Sequence, residues 1–473
     1  MAEIRCLLNQ SCEISKHIPA VLDSNRVHFF QDLESTVAFM AYHLAQRGLG
    51  EGDRIAMYMH PSWPAVCTLL AIIRIKAVAV PLSTRLPIDG LKRQLATVNA
   101  KTLMIQSGHG PEGSLDEVEI LVAEELADYV ALDRRNVPMH NLDQPAVIVF
   151  TSGSAGEPKP ALLTYGNLYY SAQQSNINIR LSSNDRWVLS LPLYHVGGLA
   201  ILFRCIESGA TMVIPNRDVS LSQEIQAYEV SHLSIVPTQL IQMMQASDAR
   251  ETAASLRVVL LGGAPISEEH IRQAMSLGFP VYATYGLTEM CSQVATHSKY
   301  TPEEKLHTAG KVLRTNELML AADGEIFVRG KALFAGYLEG DQLNPARDAE
   351  GWYHTGDAGV LDADGYLTIL GRKDNLFISG GENIYPEEIE RVLSGRLKVS
   401  RAVVVPVADE TFGHRPLAFV EFPADVNAEH LSHQLEEFLP RFKIPVAFRA
   451  WPEDAPDGFK LDRAWFHNRA KID

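Results

Sequence analysis

The segment Thr151-Ser152-Gly153-Ser154-Ala155-Gly156-Glu157-Pro158-Lys159 gathers three hydroxyls, two glycines and a lysine. It follows the apolar run Ala146 to Phe150, which reads as a buried strand opening into a loop. Gly153 and Gly156 permit positive φ and close backbone approach, so several N–H groups and hydroxyls can face one anion. Phosphate is the natural guest. A Walker loop is excluded, because Pro158 rather than glycine precedes Lys159 and no Ser or Thr follows it. Taken alone, the segment also suits a surface turn rich in small residues.

Other residues further along could share that chemistry. Tyr285-Gly286-Leu287-Thr288-Glu289 joins an aromatic ring able to stack on a base with a hydroxyl and a carboxylate, hard oxygen ligands for a phosphate-bridging Mg²⁺. Asp357, at the corner Thr355-Gly356-Asp357, is suited to accept two hydrogen bonds from a ribose diol. The adjacent Gly262 and Gly263 leave an apolar strand and let a flat group lie against the main chain. His195 follows the run Trp187 to Leu193, read as a strand, and would stand at its carboxyl end, where ligands of α/β sheets collect. A lone histidine there is more often structural, but Gly197 and Gly198 imply that something approaches the backbone. Arg204 lies in the otherwise apolar Leu199 to Ile206. A buried guanidinium needs a partner, either Glu207 or a substrate carboxylate gripped by both nitrogens.

The elements that must carry these residues read as α/β. Helical spacing over 34–47, an apolar strand at Arg54–Met59, a nearly all-apolar helix at Trp63–Ile75 and a strand at Ala77–Leu82 predict helix-covered sheets. Short glycine-bounded strands from Gly324 predict a small barrel-like part, and a hairpin around Gly380-Gly381 precedes an amphipathic helix at Pro386–Leu393. At 473 residues the chain exceeds one ordinary core. We expect a large domain over 1–373 and a small α+β domain over 374–473. Five scattered cysteines imply neither a disulfide framework nor a metal cluster and fit a reducing cytoplasm. A net charge of −15 without a basic run argues against nucleic acid, and no stretch approaches the roughly 20 apolar residues of a membrane span. Oligomerisation is left open.

In order and spacing, the loop, Tyr285–Glu289, Tyr353–Asp357, Gly371-Arg372-Lys373-Asp374 and Gly458-Phe459-Lys460 resemble the adenylate-forming superfamily of acyl-CoA ligases, luciferases and peptide-synthetase adenylation domains. The resemblance spans nearly the whole chain. It implies that Mg²⁺ and ATP activate a carboxylate as acyl-adenylate, which passes to CoA. ATP would be held by Thr151, Ser152, Gly153, Ser154, Gly156, Lys159, Gly263, Ala264, Tyr285, Gly286 and Thr288, with Asp357 and Arg372 on the ribose. Glu289 and Thr288 would hold the metal. Lys460 would reach the reacting carboxylate and α-phosphate, completing a catalytic set with His195, Thr288 and Glu289. The acid would lie among His195, Gly198, Arg204, Thr238, Gly262 and Gly263. Asp374 matches the hinge about which the small domain turns, and Gly380 and Gly381 would face the CoA arm.

Runs around His195, Arg204, Thr238, Gly262 and Asp374, and Phe412-Gly413-His414-Arg415-Pro416, are most similar to the branch of that family that activates o-succinylbenzoate in menaquinone biosynthesis. That acid is an aromatic dicarboxylate, so Arg204 would take its second carboxylate. The chain departs from the family at Ala155, where threonine is usual, and at Pro160, where glycine is usual, so weakened nucleotide binding is the most we expect. Two rivals stand beside this reading: a ligase for another aryl or medium-chain acid or for a carrier protein, and a nucleotide-binding regulator without catalysis.

Overall fold

The strand Val258–Leu261 shows how the large part is layered: Val258 and Leu260 enter one apolar core, Val259 and Leu261 another, and all four are buried. A strand covered on both faces reads as an unbroken apolar run, which is why periodicity alone could not orient it. The computed structural model describes residues 3–24, 26–126, 139–151, 158–264, 266–397, 399–423, 426–456 and 462–471. Ser152, Gly153, Ser154, Gly156 and Lys460 lie outside the described residues.

Two mixed sheets form the body. In one, the parallel strands Val78–Pro81, Arg54–Tyr58, Thr102–Ile105 and Glu119–Val122 continue into Pro145–Thr151, Lys159–Thr164 and Gly336–Glu339, the last two added antiparallel. In the other, Thr211–Val213, Arg186–Val188, His232–Ile235, Val258–Leu261 and Val281–Leu287 are parallel, and Ser292–Thr296 closes antiparallel on Val281–Leu287. Helices Phe30–Gln46, Trp63–Arg74, Tyr165–Ile179 and Val196–Ser208 lie between the sheets and share one core with both. A four-stranded antiparallel sheet, Asn316–Leu320, Glu325–Gly330, Tyr353–Leu361 and Leu367–Arg372, follows.

The turn Lys373–Asn375 leads to a five-stranded sheet beginning at Phe377, with separate cores on its two faces. Helix Pro386–Gly395 ties it to the body: both terminal nitrogens of Arg391 donate to large-part carbonyls, Ile369 at 2.7 Å and Leu370 at 3.1 Å.

One expected strand ends elsewhere. The run Trp187 to Leu193 is a strand only to Val188, because the Ser190 N–H turns back onto the Val188 carbonyl at 2.9 Å; beyond it Pro192 has no N–H to resume a ladder, and the chain turns again, His195 N–H donating to the Pro192 carbonyl at 3.1 Å. The strand Val281–Leu287 reaches as far as Leu287 because Ser292–Thr296 pairs with its end.

Candidate active site

Thr151 ends one strand and Lys159 begins the next, the two facing each other in an antiparallel register. The Thr151 hydroxyl lies 3.4 Å from the Lys159 carbonyl. The exposed Lys159 reaches over the ring of Tyr337, 5.6 Å from its centroid.

Tyr285, Gly286 and Leu287 close the central strand, and Thr288, Glu289 and Met290 form one tight turn beyond it. Gly286 is dictated by the neighbouring strand: a Cβ there would stand 1.6 Å from the Ser292 carbonyl oxygen. The turn is pinned by Phe334 N–H donating to the Glu289 carbonyl at 2.7 Å. The Glu289 side chain is buried and accepts a hydrogen bond from the Tyr337 hydroxyl, which lies 3.0 Å from that of Tyr353. Burial and the Glu289 charge drive both phenols well above the usual tyrosine range, so both stay protonated.

This donor set fits a magnesium ion. Glu289 forms no ion pair among the described residues, and a buried carboxylate without a cation asks for one. No group of three or more His, Cys, Asp or Glu able to hold an ion occurs among the described residues. One carboxylate and one hydroxyl suit an ion that takes its other oxygens from phosphates and water.

Asp357 sits on Tyr353–Leu361 opposite Arg372. Tyr285 donates its hydroxyl to one Asp357 oxygen at 2.7 Å, and Arg372 donates to the other at 3.1 Å and to the Thr355 carbonyl at 2.9 Å. Burial works against the Arg372 charge, but the carboxylates of Asp357 and Asp374 outweigh it and raise its pKa. Tyr285 is only 9% exposed, so its hydroxyl braces Asp357 while its ring belongs to the core. Asp374, exposed, meets Arg372 at 3.3 Å. Gly380 and Gly381 form the two-residue turn between Phe377–Ser379 and Glu382–Ile384.

On the acid side, His195 caps the N-terminus of helix Val196–Ser208, its ring 4.6 Å from that of Tyr194. The close approach foreseen at Gly198 is made by the chain itself, since a Cβ there would lie 2.2 Å from the Pro192 carbonyl oxygen. Gly262 packs against Thr284, while Gly263 and Ala264 are exposed. Thr238 is exposed in the first turn of helix Pro237–Gln245.

Arg204 is 2% exposed and does not pair with Glu207, which instead accepts from the Asn176 amide at 2.6 Å. Arg204 donates to the Gln293 side-chain carbonyl at 2.9 Å and the Ser292 hydroxyl at 3.3 Å, and its guanidinium stands 5.3 Å from the Trp187 ring. Its Nε has no acceptor among the described residues. Burial alone takes its pKa down to about 10. Gln293 in turn donates to Thr296 at 2.8 Å and lies 3.4 Å from the hydroxyl of Thr284, the residue against Gly262. A chain of contacts thus runs from Gly262 to the guanidinium.

Sequence reasoning assigned no role to Tyr337, Tyr353 or Gln293. Tyr353 stood inside a quoted motif, but nothing local marks Tyr337 or Gln293, whose partners lie 48 and 89 residues away.

Comparison with known proteins agrees over most of the chain. The AMP-binding enzyme family matches residues 8–338, and the AMP-binding enzyme C-terminal domain residues 388–456. The 2-succinylbenzoate–CoA ligase of Bacillus velezensis is 34% identical over 453 residues, 93% of each chain. The o-succinylbenzoate CoA synthetase of Bacillus subtilis in complex with its acyl-adenylate intermediate superposes with a TM-score of 0.87 at 31% identity, over 98% of each chain. The same enzyme with ATP and a magnesium ion gives 0.87 at 31% identity, over 98% of this chain and 99% of that one.

Proposed function

This chain belongs to the AMP-binding enzyme family, and from that premise we propose that it joins 2-succinylbenzoate to CoA with ATP, releasing AMP and pyrophosphate, as a step of menaquinone biosynthesis. In the first half-reaction a substrate carboxylate oxygen bonds to the α-phosphorus and pyrophosphate leaves. In the second the CoA sulfur bonds to the acyl carbon, AMP leaves, and the thiol proton passes to solvent.

Two anions must meet, so catalysis is largely neutralisation and alignment. Asp357, held by Tyr285 and Arg372, presents acceptors to the ribose diol. Lys159, with the hydroxyls of the segment before it, meets the phosphates. A magnesium ion held by Glu289 and Thr288 would neutralise charge on the phosphate oxygens. Lys460 is assigned to the reacting carboxylate and α-phosphate, with removal lowering adenylation about 10²–10³-fold. His195 borders the acid at the head of its helix.

The second half-reaction needs a different face toward the same centre. We place the hinge at Asp374, between domains 1–373 and 374–473, with Gly380 and Gly381 meeting the pantetheine arm after rotation. Its exposure, with Arg372 as its one ion-pair partner among the described residues, supports that role. Placement in the cytoplasm belongs to the same proposal: Cys6, Cys67, Cys205 and Cys291 are buried free thiols, and among the described residues no helix is long and apolar enough to cross a membrane.

The choice of a diacid rests on one observation, the buried Arg204 with no acid partner among the described residues. The test is pyrophosphate release over a panel of acids, with and without CoA. Dependence on 2-succinylbenzoate is expected. Equal rates with monocarboxylic aryl or medium-chain acids would move the substrate elsewhere, and silence with every acid would indicate a nucleotide-binding regulator.

A further inference from the structure

Tyr337 touches two groups that the proposed reaction needs at a fixed separation. Its strand, Gly336–Glu339, pairs antiparallel with Lys159–Thr164, Tyr337 facing Ala161. Lys159, two residues along on the same face, therefore falls diagonally across the ring, a separation that long side chains bridge. The hydroxyl points the other way and donates to Glu289. The Glu289 backbone is anchored to Phe334, three residues before Tyr337, and the ring of Phe334 packs edge-on against both Tyr337 and Tyr353, at 4.8 and 5.4 Å. Tyr353, 3.0 Å from the Tyr337 hydroxyl, comes from the strand that carries Asp357.

We propose that Tyr337 is a positioning residue for the phosphate–metal site, its hydroxyl fixing the Glu289 carboxylate and its ring face fixing Lys159. The inference rests on the reading of Glu289 as metal ligand and Lys159 as phosphate contact. A carboxylate with one oxygen tied to a phenol is restrained before binding, with its remaining acceptor positions left for an ion. Without the phenol it must be ordered at the moment of binding, which weakens the metal rather than the nucleotide. The ring acts separately, since a cation over an aromatic face is held whether or not the ring bears a hydroxyl.

Two substitutions separate these roles. Tyr337→Phe keeps the ring, and Tyr337→Leu removes ring and hydroxyl. Mn²⁺ binding in the presence of ATP, followed by the electron paramagnetic resonance of free Mn²⁺, is expected to weaken roughly three- to tenfold in Tyr337→Phe, on the order of one ordinary net hydrogen bond. The Mg²⁺ requirement of pyrophosphate release should rise in parallel and be met by excess Mg²⁺. ATP binding in EDTA should be unchanged in Tyr337→Phe and weakened about two- to fivefold in Tyr337→Leu. Unchanged Mn²⁺ affinity and Mg²⁺ requirement in Tyr337→Phe, even with reduced turnover, would overturn the proposal. If Tyr337→Phe does not fold, Tyr353→Phe is read the same way, with a smaller weakening of Mn²⁺ binding expected and no change counting against it. Wild-type protein that binds no Mn²⁺ with ATP removes the functional reading as well, whereas normal wild-type binding with indifferent variants removes only this inference.

Discussion

Replacing Arg204 by methionine should make the free protein more stable while spoiling its use of a diacid. The guanidinium is 2% exposed, leans on two neutral acceptors and one aromatic ring, and meets no carboxylate among the described residues. Burial lowers its pKa from 12.5 to about 10. At 1.36 kcal/mol per pKa unit, that difference sets about 3 kcal/mol against the charged form. Methionine fills similar volume without the charge, but leaves the Gln293 carbonyl without its donor, which costs about 1–2 kcal/mol. The net expectation is a gain of about 1–2 kcal/mol, read from urea unfolding. On the substrate side, truncating one partner of a buried charge pair costs about 2–5 kcal/mol. For the diacid, kcat/KM should therefore fall by about 10²–10³, mostly through KM, while a monocarboxylate of the same skeleton changes only a few-fold. The assay is pyrophosphate release with the two acids compared side by side. If the variant is less stable and both acids suffer alike, Arg204 merely braces Gln293, and the diacid reading fails with it.

Three further outcomes are expected. Asp374→Pro should slow thioester formation at least tenfold more than adenylation, measured as CoA-dependent turnover against single-turnover pyrophosphate release; equal loss in both would remove the hinge from this position. Gly286→Ala, whose Cβ would stand 1.6 Å from the Ser292 carbonyl, should lower stability by more than about 3 kcal/mol or prevent soluble expression; a normal melting curve would contradict the strand pairing described. His297, 1% exposed, accepts a hydrogen bond at Nδ1 from the Ala283 N–H, and burial lowers its pKa to about 4. Because this folded pKa lies below the unfolded value near 6.5, the contribution is complete above pH 6.5 and is lost as pH falls toward 4. The melting temperature should decline over that window, and His297→Gln should flatten the decline. His140 and His232, also held near 4 by burial, should leave part of the slope in place.

Much of the scaffold was legible because its signals are local. The helix expected at Trp63–Ile75 is Trp63–Arg74, with Pro64 in its first turn and the Ser62 hydroxyl as cap. The helix expected at Pro386–Leu393 runs to Gly395, and the hairpin turn is at Gly380-Gly381 as read. The strand expected through Leu193 failed at Val188, because an apolar run says that residues are buried but not that a neighbour offers ladder partners. Where the ladder stopped, a proline turn took over and made His195 a helix cap.

By itself the sequence determined the inventory: which short segments carry hydroxyls, carboxylates and cations, which runs are buried, and which glycines must yield space. Only the tertiary structure decided who meets whom. Glu207, three residues from Arg204, was the obvious partner on the helix, yet Gln293 from a distant strand takes the guanidinium. Tyr285 reads locally as a base-stacking ring, and nothing local tells that its hydroxyl also binds Asp357, 72 residues on. Backbone conformation is chosen by neighbours in the chain, whereas side-chain pairing is chosen by whichever strands the core brings side by side, and no local pattern records that choice.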